Sequence, residues 1–251
     1  MHRFFIPPTC IEKAAVYFPM EICRQMSTVL HLRQGERVIV LDNSGLEYEV
    51  ELEIVAPRST EGRILSSRTC QGEPRTHLTL YMGLTQREKF EWMLQKCTEV
   101  GAAGFVPVVS SRSLVQSPDE ARSKTERWQR ILQEAAEQSG RGRIPTLAAA
   151  LRWEDALRQI KAQGQPTLIA WEAEKAMRIP EALAACGLIP ANPQKTAALA
   201  VLIGPEGGYS EEEVRQARAA GLTAVTLGNR ILRMETAAVV ATALTLHELD
   251  D

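Results

Sequence analysis

The chain has 251 residues, 45% of them hydrophobic and 24% charged, with a formal net charge of −2. That gives one large or two modest domains of ordinary globular composition, and a near-neutral balance argues against indiscriminate nucleic-acid binding. No apolar run reaches the ~20 residues of a spanning helix, and MHRFFIPPTC at the N-terminus lacks a signal-peptide core, so a cytoplasmic protein is expected. Five cysteines without a CxxC pair and four scattered histidines read as reduced thiols and no metal site.

Residues 1–73 read as all-β. A short strand at 2–6 stops at Pro7-Pro8, residues 21–32 suit one small helix, and 36–41 form a strand before the turn Asp42-Asn43-Ser44-Gly45. Leu46, Tyr48, Val50, Leu52 and Ile54 then alternate with Glu47, Glu49, Glu51 and Glu53, which predicts one apolar face and one acidic, solvated face. A further strand is expected at 62–66. An acidic face repels phosphates, so a phosphate-bearing partner of this domain would have to meet Arg3, His31, Arg33 and neighbouring loops. Gln71-Gly72-Glu73-Pro74 reads as a linker.

From residue 74 the pattern changes to strand-helix alternation, which predicts a mostly parallel sheet with helices on both faces. Leu78, Leu80 and Met82 mark a strand. Phe90, Met93, Leu94, Cys97 and Val100 recur at helical spacing. Residues 105–109 form the next strand, with Ser110-Ser111-Arg112-Ser113 at its carboxyl end. One long helix is expected over 119–139, its core face carrying Trp128, Ile131, Leu132 and Ala135, and a polar stripe Glu134, Gln138, Arg141 at its far end. A helix at 153–162, a strand at 167–171 ending on Trp171-Glu172, a helix at 181–186 and a loop at 191–195 follow. Residues 74–145 form the only positive third, with 11 Lys/Arg against 8 Asp/Glu.

Residues 197–241 hold two strand-loop-helix units in tandem. An apolar strand at 198–203 ends in Gly204-Pro205-Glu206-Gly207-Gly208, and Ser210 caps a helix whose first turn carries Glu211, Glu212 and Glu213. After Gly221 a strand at 223–227 leads into Gly228-Asn229-Arg230-Ile231-Leu232-Arg233, and Glu235-Thr236 opens the last helix. Glycines at strand carboxyl ends let a backbone approach a ligand closely. The patterns GxxxxGK[ST] and GxGxxG are absent and Glu206 would repel phosphate, so a nucleotide phosphate is not the expected ligand.

Ile203-Gly204-Pro205-Glu206-Gly207-Gly208 and Leu227-Gly228-Asn229-Arg230-Ile231-Leu232-Arg233-Met234-Glu235-Thr236-Ala237 resemble the two signature segments of the RsmE family, 16S rRNA uridine N3-methyltransferases of the SPOUT superfamily. Lys96-Cys97-Thr98-Glu99-Val100-Gly101, Ser111-Arg112-Ser113 and the stretch from Arg127 to Pro145 resemble the family as well. The resemblance implies a trefoil-knotted α/β sheet at 74–251, preceded at 1–73 by a small PUA-like, RNA-binding β-barrel. It implies S-adenosylmethionine as cofactor, held by Trp171, Leu202, Ile203, Gly204, Gly207, Leu227, Gly228, Ile231 and Leu232. It also implies 16S rRNA, within the 30S subunit, as substrate, and a homodimer through the knot region. Arg3, His31, Arg33, Arg112, Gln138 and Arg141 are then candidate RNA contacts.

Methyl transfer from a sulfonium needs alignment of donor and acceptor more than a covalent nucleophile, and no Ser/His/Asp or Cys/His set stands out. Arg112, Arg141 or Arg233 could stabilise a uracil anion, and Glu206 could take the N3 proton or organise its loop. Two readings stay beside this one: a SPOUT ribose 2′-O-methyltransferase, against which Met234-Glu235-Thr236-Ala237 argues, and a non-catalytic RNA-binding or ribosome-assembly protein on the same fold.

Overall fold

The computed structural model describes residues 1–189 and 196–250; the loop expected at 191–195 lies outside the described residues. Two units emerge: Met1–Glu73 with Gln133–Ile144, and Pro74–Leu132 with the chain from Pro145 onward.

Short apolar runs build a six-stranded sheet in the first unit. Its strands are β1 (Arg3–Phe5), β2 (Ile11–Glu12), β3 (Ala15–Tyr17), β4 (Arg37–Leu41), β5 (Leu46–Ala56) and β6 (Ser59–Thr69), in the order β1-β4-β5-β6-β3-β2. β1 runs parallel to β4 and the other pairs are antiparallel. Helix α1 (Met20–Arg24) runs on into a wider turn. Phe4, Val16, Cys23, Met26, Val38, Val40, Val50 and Leu52 form the core.

The alternation expected along β5 is only partly realised. Register shifts interrupt its pairing with β6 at Glu49/Val50 and Leu52/Ile54, and Leu46 and Ile54 are exposed. Each bulge adds a residue and re-aims the side chains beyond it. Glu47, expected in solvent, is buried between Arg3 (2.6 Å) and Arg68. Glu49 pairs with Arg37, and Glu51 and Glu53 with Arg63, so the acidic face is neutralised by arginines.

Residues 133–144 were expected with the second domain, yet they belong to the first unit. Ala136 and Ile144 pack with Phe5, Ile39 and Leu41, and the Phe5 amide donates to Glu137 at 2.9 Å.

The second unit is built on parallel strands β7 (His77–Gly83), β8 (Gly104–Val109), β9 (Thr146–Leu147), β10 (Leu151–Arg152), β11 (Thr167–Ala170), β12 (Ala198–Ile203) and β13 (Thr223–Val225). Their order is β10-β8-β7-β12-β11-β13, with β9 also on β8, and all described pairs are parallel. The helices are α2 (Arg87–Val100), α3 (Asp119–Arg122), α4 (Thr125–Ser139, whose residues from Gln133 belong to the first unit), α5 (Trp153–Gln163), α6 (Ile179–Ala185), α7 (Glu211–Ala219) and α8 (Met234–Asp250).

The single helix expected over 119–139 is therefore two. A tight turn, with the Lys124 amide donating to Ala121 O at 3.0 Å, ends α3 before α4 begins. No helix of the described residues is long and apolar enough to cross a membrane, and no group of three potential metal ligands occurs among them.

Candidate functional site

An all-parallel sheet puts its carboxyl ends on one edge, and the adjacent strands β12, β11 and β13 send their next loops to one place there. β11 lies between β12 and β13, so the chain crosses over β11 by way of α7.

The loop after β12 turns on Gly208 (φ +65°), whose amide donates to Pro205 O at 2.9 Å. Ser210 then starts α7 with a reciprocal capping box. Its hydroxyl accepts from the Glu213 amide, and the Glu213 carboxylate accepts from the Ser210 amide at 2.8 Å. The other Glu213 oxygen accepts from the Ser111 amide at 2.7 Å. This buried carboxylate thus ties the loop after β8 to the start of α7. The next residue, Arg112, donates from Nη1 to Gly207 O at 3.0 Å. Replacing Glu213 by alanine takes the carboxylate partner from the Ser111 and Ser210 amides and empties a buried site, and should cost about 2–3 kcal/mol. In a thermal melt that is a fall of roughly 5–10 °C; an unchanged melting temperature would contradict the clamp.

The loop after β13 is held by Thr226, whose Oγ1 accepts from the Gly228 amide at 3.2 Å. Gly228 has φ +116° and open space where a Cβ would stand. The loop after β11 contributes Trp171, Glu172 and Lys175. With Lys89 from α2 and the first turn of α8, these loops enclose a cavity of about 390 Å³, within the usual range for small-ligand sites. Its charged lining residues are Glu172, Glu206, Glu235, Lys89, Lys175, Arg230 and Arg233.

Glu206 accepts from the Thr85 hydroxyl and, at 3.4 Å, from Lys89 Nζ. Burial pushes its pKa up, but hydrogen bonds from Thr85, its own backbone and Lys89 outweigh that and hold it below the ordinary 4.5. It is an anion at neutral pH and a weak proton acceptor. A depressed carboxylate pKa contributes stability above the unfolded value and loses it as pH falls through the folded one. Glu206→Gln should therefore flatten the fall in melting temperature below about pH 4.5 and leave its course above pH 6 unchanged; a change confined to alkaline pH would contradict this assignment.

Of the residues singled out in the sequence, Trp171, Ile203, Gly204, Gly207, Leu227, Gly228, Ile231 and Leu232 line the cavity, as do Glu206 and Arg233. Leu202 does not; its side chain is fully buried in the sheet core with Tyr81, Ile169 and Ala200. Arg112 reaches the rim through Gly207. Arg141 lies in the first unit, 2% exposed, with a two-pronged pair to Glu73 at 3.2 and 3.1 Å. Expected as a catalytic or RNA contact, it is instead an internal tie, because its guanidinium is enclosed with a carboxylate. Arg3 is likewise engaged, with Glu47 (2.6 Å) and Gly140 O (3.4 Å). His31, Arg33 and Gln138 are exposed.

Lys89, Thr85 and Lys175 carried no signal as site residues in the sequence. Thr85 and Lys89 lie more than a hundred residues before Glu206 and meet it because β7 pairs with β12, Met82 opposite Ile203. Glu172 carried a weak signal as the neighbour of Trp171 at a strand end.

A parallel α/β unit with a lined cavity at its carboxyl edge is a small-ligand-binding protein of the kind that works through strand-end loops. The model of the RNA methyltransferase domain family matches residues 72–246. The chain is 31% identical over 245 residues to ribosomal RNA small subunit methyltransferase E of Bacillus subtilis, covering 96% of this chain and 94% of the relative. It is 32% identical to the protein of the same name from Synechocystis, covering 96% and 76%. A crystal structure of ribosomal RNA small subunit methyltransferase E from Neisseria gonorrhoeae bound to S-adenosyl methionine superimposes with a TM-score of 0.85 at 30% identity, covering 99% of this chain and 98% of that one. The chain belongs to the ribosomal RNA small subunit methyltransferase E family of RNA methyltransferases.

Proposed function

We propose that the protein is an S-adenosylmethionine-dependent methyltransferase acting on N3 of a specific uridine in 16S rRNA, within the small ribosomal subunit in the cytoplasm. The observation that carries this reading is the three-loop cavity, whose lining offers apolar surface to a flat base and both signs of charge to a ligand that carries a carboxylate as well as cationic groups. Trp171, Leu227 and Leu232 offer apolar surface, Glu172 and Glu235 offer negative charge, and the open space at Gly228 admits close approach to backbone. When bound, S-adenosylmethionine supplies an electrophilic methyl group on a sulfonium.

The protein's own part is alignment and charge. The glycine loops and Trp171 hold the cofactor, and Arg233 and Arg112 at the cavity and its rim stabilise negative charge developing on the uracil. Glu206, anchored by Thr85 and Lys89, organises its loop rather than taking the proton. The first unit serves as a PUA-like module that presents RNA through the exposed His31 and Arg33. The crossing from β12 over β11 to β13 is compatible with a trefoil knot. Trp92 on α2 and Leu244 on α8, exposed on helices that pack together, support a homodimer.

Titration calorimetry with S-adenosylmethionine, followed by transfer to 30S subunits and mass mapping of the 16S rRNA, tests the reading. One cofactor per chain and a base-methylated uridine are expected; ribose methylation or no transfer would overturn it. Arg33→Ala should leave the melting temperature in place and lower the salt dependence of rRNA binding by roughly one counterion. An unchanged salt slope would remove Arg33 from the RNA surface.

A further inference from the structure

One wall of the cavity, carrying Trp171, Glu172 and Lys175, lies on the irregular segment between β11 and α6. Its shape is set from outside the cavity. One Glu174 oxygen accepts three consecutive main-chain amides, from Lys175 at 3.0 Å, Ala176 at 3.0 Å and Met177 at 3.3 Å. The other accepts from Arg218 Nη2 on α7 at 2.9 Å. The guanidinium carbon of Arg218 lies 5.6 Å from the centre of the Trp171 ring, within cation–π range. The Trp171 amide meanwhile donates to Val225 O at 3.0 Å, fixing the backbone beneath the ring.

We propose that Arg218 is a positioning residue for the cofactor: pinned by Glu174 and lying over Trp171, it holds the indole as a preset wall of the cavity. The inference rests on the reading of this cavity as the S-adenosylmethionine site. A ring ordered before binding spares the ligand the cost of ordering it. Arginine suits the role better than lysine because a planar guanidinium can stack on an indole and bond to a carboxylate at once. Arg218 itself lies outside the cavity lining, so its effect on binding must pass through Trp171.

Wild type, Arg218→Ala, Arg218→Lys, Trp171→Phe and the Arg218→Ala/Trp171→Phe double variant would be titrated with S-adenosylmethionine. Tryptophan emission, melting temperature and steady-state rates on 30S subunits would be read in parallel. Arg218→Ala is expected to weaken binding about three- to fivefold, the size an exposed cation–π contact supplies. The KM for the cofactor should rise in parallel, kcat should stay within about twofold, and Arg218→Lys should recover part of the loss. The double variant should lose less than the product of the two single effects. Emission should change with Arg218→Ala only where Trp171 is present.

Binding within about twofold of wild type for Arg218→Ala, or independent effects of the two substitutions, would overturn the inference alone. Absence of binding to wild type would overturn the cofactor reading and this inference with it. Should Arg218→Ala fail to fold, Glu174→Gln, which keeps an oxygen for the three amides but loses the ion pair, is expected to weaken binding about threefold; no change would count against the proposal.

Discussion

Gly228→Trp is expected to reduce affinity for S-adenosylmethionine at least about a hundredfold, equivalent to roughly 2.7 kcal/mol. Two effects act together. The backbone at Gly228 stands at φ +116°, where a side chain is strained; left-handed geometry costs an L-residue on the order of 1–2 kcal/mol. Nothing lies within 4 Å of an added Cβ, so the indole is free to occupy the cavity that Gly228 lines. Gly228→Ala separates the two, since it adds the strain without the bulk and should weaken binding by about tenfold or less. Calorimetric titration of both variants reads the difference. The loop is exposed and lies outside the sheet, so the melting temperature of each should stay within a few degrees of wild type. Wild-type affinity in Gly228→Trp would mean that this cavity is not where the cofactor sits.

Arg141→Ala should cost about 2–3 kcal/mol of stability, below the range for a fully enclosed pair because Glu73 is partly exposed. The variant leaves Glu73 supported by the amides of Gly142 (2.9 Å) and Arg143 (3.0 Å) but without its countercharge. Glu73→Gln should be milder, about 1–2 kcal/mol, because its amide oxygen still accepts those two bonds. Denaturant or thermal unfolding measures both. If Arg141 touched the substrate instead, Arg141→Ala would lower kcat and leave stability intact. That outcome would reverse the assignment of Arg141 to an internal tie.

The contrast between Arg112 and Arg141 marks the limit of reading the sequence by itself. Each follows a helix or strand end and sits among small polar residues, and each was an equal candidate for chemistry. Glu73, which engages Arg141, is 68 residues away along the chain, and no local pattern announces it. Glu213 shows the same limit. Its place in the first turn of α7 was legible from Ser210, but its bond to Ser111 spans 102 residues. Leu202 sits in a strand buried on both faces, where an apolar run carries no alternation to say which side chain meets a ligand. The two-residue strands β9 and β10 are too short to show any period. The break between α3 and α4 is invisible to a hydrophobic pattern that continues across it.

The sequence by itself determined the change from an all-β N-terminal part to a strand-helix C-terminal part, and the two glycine loops at strand ends with the capped helix between them. These follow from local physics: side-chain period, turn chemistry and the conformational freedom of glycine act within a few residues. The tertiary structure decided which charges are available and which are enclosed. It placed Thr85 and Lys89 on Glu206, Arg218 on Trp171, Glu47 between two arginines, and residues 133–144 with the first unit. Those partnerships depend on strand order and register, through which residues far apart in the chain come within hydrogen-bonding distance, and burial then determines whether a charge faces a partner or the solvent.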